Sequence, residues 1–398
     1  MNKNKKYIKK RHRLCFKLAR PIAWIIAKKY GLKYKKFPLK KGESYFILGN
    51  HQTALDPVFV CLSFDTPVYI VASDTLFNSS LPSKMLRYCF APIKKRKGGA
   101  DIECIRNCMK VAKEGGSVAL FPEGNRAWAD FQIYIDPAVC KLIRLLKLPV
   151  ALYQLRGGYG VSPRWSDKLR KGPFTGEVAE VLTTDKIDAM NDDELYRKIL
   201  SVLRVIDSES GNLYKAKARA EYLERELFIC PKCGGVSTLS SEGHFINCKR
   251  CGLSVEYRED LTLASKDREF KFTRLVDWYA FQLEKIKTFG IYKGKSDFVL
   301  YSDENVKIYD KTYNKNVLLS KGKMTLDGIF LKVGAMRIAL DDIEGASVVG
   351  GGKLLINTIS DKSYKICGEK RLNVLKYILT FNVLKEKPME DKYYGLEL

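Results

Sequence analysis

Histidine is scarce in this chain: His12, His51 and His244 are the only three in 398 residues. His51 stands five residues ahead of Asp56 in "LGNHQTALDPVF", residues 48–59. A carboxylate on one imidazole nitrogen fixes the tautomer and supports the imidazolium that forms when the other nitrogen takes a proton. On one continuous helix that spacing would hold the two side chains roughly 140° apart. Asp56-Pro57 is also a helix-start signal, with Asp as cap and Pro at the first helical position. If the helix starts only after Asp56, the preceding turn can fold His51 back onto the carboxylate. Two readings stand at this point: a general base with its orienting partner, or a helix cap with a histidine in the turn before it.

Two further stretches offer groups for the same chemistry. "ALFPEGNRAW" (119–128) carries Glu123, Gly124 and Arg126 in a tight turn, and "APIKKRKGGAD" (91–101) carries Lys94, Lys95, Arg96 and Lys97 beside glycines. An imidazole–carboxylate pair with arginine and lysine nearby suits acyl transfer to a phosphate-bearing alcohol, the base taking the hydroxyl proton and the cations holding the phosphate.

The elements that must position these groups are an alternating series. "SYFIL", "PVYIVA", "SVALF", "PVALYQL" and "TGEVAEVL" read as strands, with helical patterns over 57–64, 83–90, 102–115 and 138–147 between them. Such alternation predicts an α/β layer with a largely parallel sheet. Ligands of open α/β sheets bind outside the carboxyl ends of the strands, which places the His51 and Glu123 stretches on one edge. Residues 186–227 read as mostly helical, with Leu195, Ile199, Val202, Leu203 and Ile206 forming a stripe.

On these residues the chain resembles the glycerol-phosphate and 1-acylglycerol-3-phosphate acyltransferases. "NHQTALD" is similar to their NHxxxxD block, and "FPEGNR" to their FPEGTR block. "FAPIKKRKGGAD" is similar to the block between them, and "LKLPVALYQL" to the proline-containing fourth block. The resemblance covers roughly residues 15–210. It implies a soluble-looking α/β domain held on a membrane from one side, with His51 as general base and Asp56 as its partner. It also implies that Glu123, Gly124 and Arg126 line the acceptor site and that Lys95 or Arg96 contacts phosphate. The acyl donor would be acyl-CoA or acyl-carrier protein, the acceptor a lysophospholipid such as 1-acylglycerol-3-phosphate, and the product phosphatidic acid. Asn125 stands where the family has threonine, Ala127 replaces a frequent serine, and "SDTLF" lacks a lysine that many members carry.

A separate signal begins at Cys230, in "CPKCGGVSTLSSEGHFINCKRCGL". Cys230 and Cys233, then Cys248 and Cys251, each form a C-x2-C pair followed by glycine. Two such knuckles can hold one tetrahedral Zn²⁺ through four thiolates, and with no open position the metal would be structural. The segment resembles a zinc ribbon; His244 is surplus to it. Disulfides are the alternative, disfavoured in a chain without a visible export signal. The remaining cysteines stand singly and read mostly as small core residues. From 296 to 387, short β segments end in the amphipathic helix "EKRLNVLKYILTFNVLKE", an order that resembles a pleckstrin-homology-like (PH/GRAM) domain. The expected division is 1–42 membrane contact, 43–227 acyltransferase, 228–258 ribbon, 259–295 helical linker, 296–387 PH-like and 388–398 tail.

Seventy Lys and Arg against 45 Asp and Glu leave a net charge of +25, which favours polyanionic partners. Residues 1–42 contain no Asp or Glu. Within them Leu14, Leu18, Ile22, Ile25 and Ile26 recur at helical spacing, with Trp24 alongside. The longest clean apolar run there, Pro21 to Ala27, falls far short of the roughly 20 residues a membrane span needs. A helix lying in an anionic headgroup region fits both features. The expected location is therefore the cytoplasmic face of a membrane, held peripherally. Nucleic acid is disfavoured because few aromatics interleave with the basic residues between Cys230 and Cys251. A protein partner taken through the ribbon or PH-like segment, and a catalytically silent membrane scaffold, are the competing readings.

Overall fold

The computed structural model describes residues 6–39, 42–73, 76–77, 80–95, 101–126, 128–312, 316–349 and 352–386. The chain divides into two compact units. The first comprises Met1–Ala127, Phe131–Ser162 and Lys171–Asn212; the second comprises Trp128–Asp130, Pro163–Arg170 and Leu213–Leu398.

In the first unit α1 (Lys10–Tyr30) leads into β1 (Leu32–Tyr34), β2 (Phe46–Gly49), α2 (Asp56–Ser63), β3 (Val68–Ser73) and α3 (Leu81–Phe90). Then come β4 (Ile93–Lys95), α4 (Ile102–Lys113), β5 (Ser117–Leu120), α5 (Ala138–Leu146) and β6 (Val150–Arg156). The short α6 (Gly158–Val161), β7 (Phe174–Leu182), α7 (Thr184–Ala189) and α8 (Asp192–Leu203) complete it. Among the described residues the sheet runs β1-β7-β6-β2-β5-β3-β4, and only the β6–β7 pair is antiparallel. Central strands of such a sheet are covered on both faces, which is why β2 and β6 read as unbroken apolar runs.

One face packs Phe46, Leu48, Val118, Val150 and Leu152 against Cys104, Cys108 and Val111 of α4, Val139 and Ile143 of α5, and Leu195, Ile199 and Leu203 of α8. On α2, Phe59 meets Phe174 with ring centroids 4.5 Å apart, and the Ser63 hydroxyl lies 2.7 Å from that of Tyr153. Burying a side chain of this size is worth about 1.5–3 kcal/mol. Cys104, Cys108 and Cys140 are core residues as expected, whereas Cys15, Cys61 and Cys89 are half-buried.

The first helix is tied to the ends of α4 and α2. The backbone N–H groups of Tyr7 and Ile8 donate to the Glu114 carboxylate at 2.9 and 2.8 Å, and Arg20 donates to Asp65 and to the Phe64 carbonyl. Gly31, in the left-handed region at φ 67°, ends it. His12, Phe16 and Ala27 face inward, while Leu14, Leu18, Ile22 and Ile25 are 59, 66, 61 and 58% exposed. Ile26, expected in the exposed row, is half-buried instead. No described helix is long and apolar enough to cross a membrane.

The mostly helical reading of 186–227 holds only to Leu203. Beyond it the chain is irregular, with two 3₁₀ turns at Asp207–Glu209 and Leu223–Arg225. The buried Val205, Tyr214, Ala220, Leu223 and Leu227 supply apolar content to that stretch without a helix.

The second unit contains β8 (Leu239–Glu242), β9 (Phe245–Cys248), β10 (Ser254–Tyr257) and β11 (Leu263–Ala264) in one antiparallel sheet. The next helix, α9 (Leu275–Lys287), buries Trp278, Tyr279, Leu283 and Ile286, and the Trp278 indole donates to the Ile229 carbonyl at 2.9 Å. A seven-stranded antiparallel sheet follows: β12 (Tyr301–Asp310), β13 (Val317–Leu326), β14 (Phe330–Val333), β15 (Met336–Ala339), β16 (Ile343–Val349), β17 (Lys353–Thr358) and β18 (Ser363–Cys367). Its order is β15-β14-β13-β12-β18-β17-β16, and α10 (Leu375–Leu384) is the last described element. The pairing register of β12 with β13 shifts between Asp303 and Val306. The Tyr301 hydroxyl lies 2.6 Å from that of Thr380, and buried Lys376 pairs with Asp303 at 2.7 Å, so α10 is fastened to β12.

Candidate active site and candidate metal centre

Residues 50–55 form the turn between β2 and α2, and the Asp56 carboxylate organises it. His51 Nδ1 lies 2.7 Å from Asp56 Oδ2. The N–H of Gln52 donates to the same oxygen at 2.8 Å, the N–H of Thr53 lies 3.0 Å from both oxygens, and the Thr53 hydroxyl donates to Oδ1 at 2.6 Å. Asp56 is fully buried, while the His51 side chain keeps 23% of its surface exposed.

The helix-cap expectation is corrected by this geometry. Asp56 is the first residue of α2 rather than its cap, Pro57 the second, and Leu55 stands at the cap position with no side-chain bond. The carboxylate turns backwards, onto residues 51–53. Proline suits the first turn because that N–H has no helical partner to lose.

Two neighbouring strands complete the surroundings. From the turn after β5, Glu123 Oε1 accepts the His51 N–H at 3.1 Å, and the Phe121 ring stacks on the imidazole with centroids 4.8 Å apart. Gly49 permits this approach: a Cβ there would sit 3.1 Å from the Phe121 ring. Gly124 holds φ 66° and donates its N–H to the Phe121 carbonyl, closing the turn. From β6, Leu155 exchanges two hydrogen bonds with the Asn50 side chain, at 2.7 and 2.8 Å, pinning the turn to the backbone of that strand.

Burial pushes the Glu123 carboxyl well above the usual carboxylate range; the His51 N–H opposes this and the Asp56 charge adds to it. Burial likewise lowers Arg126, against the attraction of Asp56. For Glu123 the consequence for stability has a definite sign. The unfolded carboxyl ionises near ~4.3 while the folded one keeps its proton to higher pH, so this group costs stability as pH rises through that window. Glu123→Gln, which keeps the acceptor oxygen, is expected to lose this slope and to gain on the wild type from about pH 4 upward. Thermal unfolding followed across that range checks it; parallel curves for the two proteins would count against it.

The structure brings His51, Asp56 and Glu123 together, with Gly124 and Arg126 on the turn beside them. Lys95 ends β4 on the same sheet edge but three strands from β2, roughly 14 Å away at ~4.8 Å per strand. Arg96 lies outside the described residues. Asn50, Gln52 and Phe121 were missed as site residues. The first two lie inside the quoted motif, where only their neighbours had an evident chemistry.

In the second unit the four cysteines converge, with all their Sγ atoms within 4.8 Å of one another. Cys230 and Cys251 are 3.6 Å apart, Cys233 and Cys248 3.7 Å. A disulfide would need ~2.05 Å, whereas a tetrahedron of thiolates ~2.3 Å from one zinc has edges of about 3.8 Å. The two knuckles fold alike. Gly234 and Gly252, at φ 66° and 74°, donate back to the carbonyls of Cys230 and Cys248 at 2.9 and 3.0 Å. Against the penalty of burial, the Thr238 hydroxyl and the N–H groups of Cys251 and Arg250 bring the Cys248 thiol down to about 6. The donor set and its spacing fit a four-thiolate metal.

Residues 32–146 match the family model described as Acyltransferase. Two curated relatives, the chloroplastic 1-acyl-sn-glycerol-3-phosphate acyltransferases BAT2 of Brassica napus and LPAT1 of Arabidopsis thaliana, are each 28% identical over 81 residues. That stretch is 20% of this chain but only 23 and 22% of the relatives' own lengths. Among solved structures, the 1-acyl-sn-glycerophosphate (LPA) acyltransferase PlsC from Thermotoga maritima aligns over 48% of this chain and 78% of its own, with TM-score 0.42 and 15% identity. The stretch that matches the Acyltransferase family model, residues 32–146, holds the His51–Asp56 pair and the Glu123–Arg126 turn.

Proposed function

We propose that this chain is a membrane-associated glycerolipid O-acyltransferase. It would move an acyl group from acyl-CoA or acyl-carrier protein to the free hydroxyl of a lysophospholipid, foremost 1-acylglycerol-3-phosphate, giving phosphatidic acid. The observation that carries this reading is the 2.7 Å contact between His51 Nδ1 and the buried Asp56 carboxylate. With Nδ1 engaged, Nε2 is the nitrogen that takes the acceptor hydroxyl's proton. The alkoxide oxygen attacks the thioester carbonyl, the C–S bond breaks, and the departing thiolate recovers the proton from the imidazolium. Asp56 stabilises that imidazolium without itself changing protonation. Arg126, on the turn after β5 and within the field of the Asp56 charge, is assigned to the acceptor phosphate, with Lys95 at the far end of the same edge. The plant relatives are named for the same acceptor class.

The acceptor assignment is tested with purified protein offered 1-acylglycerol-3-phosphate or the matching monoacylglycerol. A preference of at least about tenfold for the phosphate-bearing lipid is expected, since a charge-assisted contact is worth roughly 1.5–3 kcal/mol. Equal rates would overturn it.

We assign α1 to the bilayer surface on the cytoplasmic side. Its exposed Leu14, Leu18, Ile22 and Ile25 lie among lysines and arginines, and α3 presents exposed Leu81, Met85 and Tyr88. Leu18→Asp and Ile22→Asp are expected to weaken binding to anionic vesicles by about tenfold or more each, most visibly at low salt. Sedimentation with vesicles measures this; undiminished binding of both variants would contradict it.

We assign one structural Zn²⁺ to Cys230, Cys233, Cys248 and Cys251, and a PH-like fold to residues 301–384. Seven strands with β12 and β18 adjacent at the centre, followed by a helix, support the latter. Both are taken as an accessory unit rather than as part of the chemistry.

A further inference from the structure

A buried carboxylate far from the motif is wired to the turn that carries His51. Asp207 is 2% exposed and belongs to the first unit. Its Oδ1 accepts the N–H of Gly157 at 2.6 Å, and its Oδ2 accepts the N–H of Gly160 at 3.3 Å and the side-chain amide of Gln52 at 3.4 Å. The other end of the Gln52 amide, Oε1, accepts the N–H of Gly158 at 2.8 Å. The backbone N–H of Gln52 donates in turn to Asp56 Oδ2, the oxygen that holds His51.

We propose that Gln52 and Asp207 are positioning residues for the His51–Asp56 pair, clamping the catalytic turn to the turn after β6. This inference rests on the acyl-transfer reading above and adds to it the groups that hold its base in place. Gln52 is held by the turn after β6 and by Asp207, and its own N–H fixes the Asp56 carboxylate. With those side-chain bonds lost, Gln52 can rotate, and the amide aimed at Asp56 loses its fixed direction. Gly158 belongs to the same clamp. A Cβ there would come within 2.6 Å of Gln52 Oε1 and 2.9 Å of the Phe174 ring, so a glycine is needed for Gln52 to lie where it does. Hydrogen-bond networks around a buried carboxylate hold geometry more strongly than their single bonds suggest.

The test is a double-variant cycle on 1-acylglycerol-3-phosphate with acyl-CoA, using Asp207→Ala, Gln52→Ala and the two together in the full chain. Displacing a catalytic group by about an ångström costs up to roughly 100-fold. Each single variant is therefore expected to lower kcat by about 10- to 100-fold with KM changed little, because the clamp touches no substrate. The double variant is expected to be no worse than the poorer single one. Asp207→Asn, which keeps an oxygen for the Gly157 N–H, should retain more activity than Asp207→Ala. It also carries the test, with Gln52→Ala, if Asp207→Ala does not fold.

Hydrogen exchange supplies a readout independent of activity. The amides of Gln52 and Thr53 are expected to exchange faster in both Asp207 variants and in Gln52→Ala, while β2 is unchanged. If the wild type transfers no acyl group yet these amides are deprotected, the clamp stands and the acyl-transfer reading falls. Unchanged exchange at Gln52 and Thr53, or losses in kcat that multiply in the double variant, would overturn the clamp.

Discussion

Asp56→Ala is expected to be among the most damaging single substitutions in the first unit, and to act in two ways at once. The carboxylate is buried and accepts from the N–H groups of Gln52 and Thr53, from the Thr53 hydroxyl, and meets His51 Nδ1. Alanine leaves those donors facing a cavity, and each buried donor without a partner costs about 1–3 kcal/mol. A loss of roughly 2–5 kcal/mol is expected in denaturant unfolding, at the upper end for single substitutions. The reaction should suffer separately, because His51 loses the group that sets its tautomer; general-base catalysis is worth about 10²–10⁴-fold. Asp56→Asn divides the two effects. The amide keeps one acceptor oxygen for the turn but places no negative charge beside the imidazolium. Its stability should fall less than that of Asp56→Ala, while its activity falls comparably. An Asp56→Asn protein with wild-type activity would remove Asp56 from the mechanism.

The second large effect belongs to the cysteine cluster. Metal analysis is expected to return one zinc per chain, lost when Cys230 and Cys233 are both replaced by serine. Structural zinc in small knuckle peptides contributes an apparent binding energy of roughly 10–16 kcal/mol, most of it expressed as folding. Residues 228–258 are therefore expected to lose hydrogen-exchange protection in the variant or under a strong chelator. Beside the cluster, α9 has its own anchors in buried Trp278, Tyr279 and Ile286, so the loss should be greatest over the knuckles and β8 to β10. A wild type that is folded and metal-free would exclude the site.

Much of the first unit's sheet is legible in sequence because a parallel sheet covered on both faces demands apolar strands. β2, β3, β5 and β6 announce themselves in this way, while β7, antiparallel to β6, is read despite Glu177 and Glu180 among its apolar residues. β1 and β4, each three residues long, carry too little pattern to register. The stretch after Leu203 misleads because burial without regular structure imitates the apolar content of a helix. The site divides along similar lines. His51, Asp56, Glu123 and the cysteine knuckles are legible because their spacing is short and their chemistry local. Lys95 was placed at the same site through the resemblance of its block to the family's, and sheet order puts it three strands from β2. Asp207 gave no signal at all. It lies 155 residues beyond Gln52, in a segment without regular pattern, and only the folded chain joins the two. The turn of Asp56 toward residues 51–53 was half legible: Asp-Pro marks the helix start, but the direction in which the carboxylate points depends on the turn before it.

The His51–Asp56 pair is proposed to perform acyl transfer to a lysophospholipid. The most direct test is the rate of phosphatidic acid formation from 1-acylglycerol-3-phosphate, with acyl-CoA and with acyl-carrier protein as donors, for the wild type and His51→Ala side by side. The wild type is expected to form product with at least one donor, and His51→Ala to be slower by about 10²–10⁴-fold at unchanged thermal stability. A folded, vesicle-bound wild type that forms no product with either donor, or a His51→Ala protein as fast as the wild type, would contradict the account.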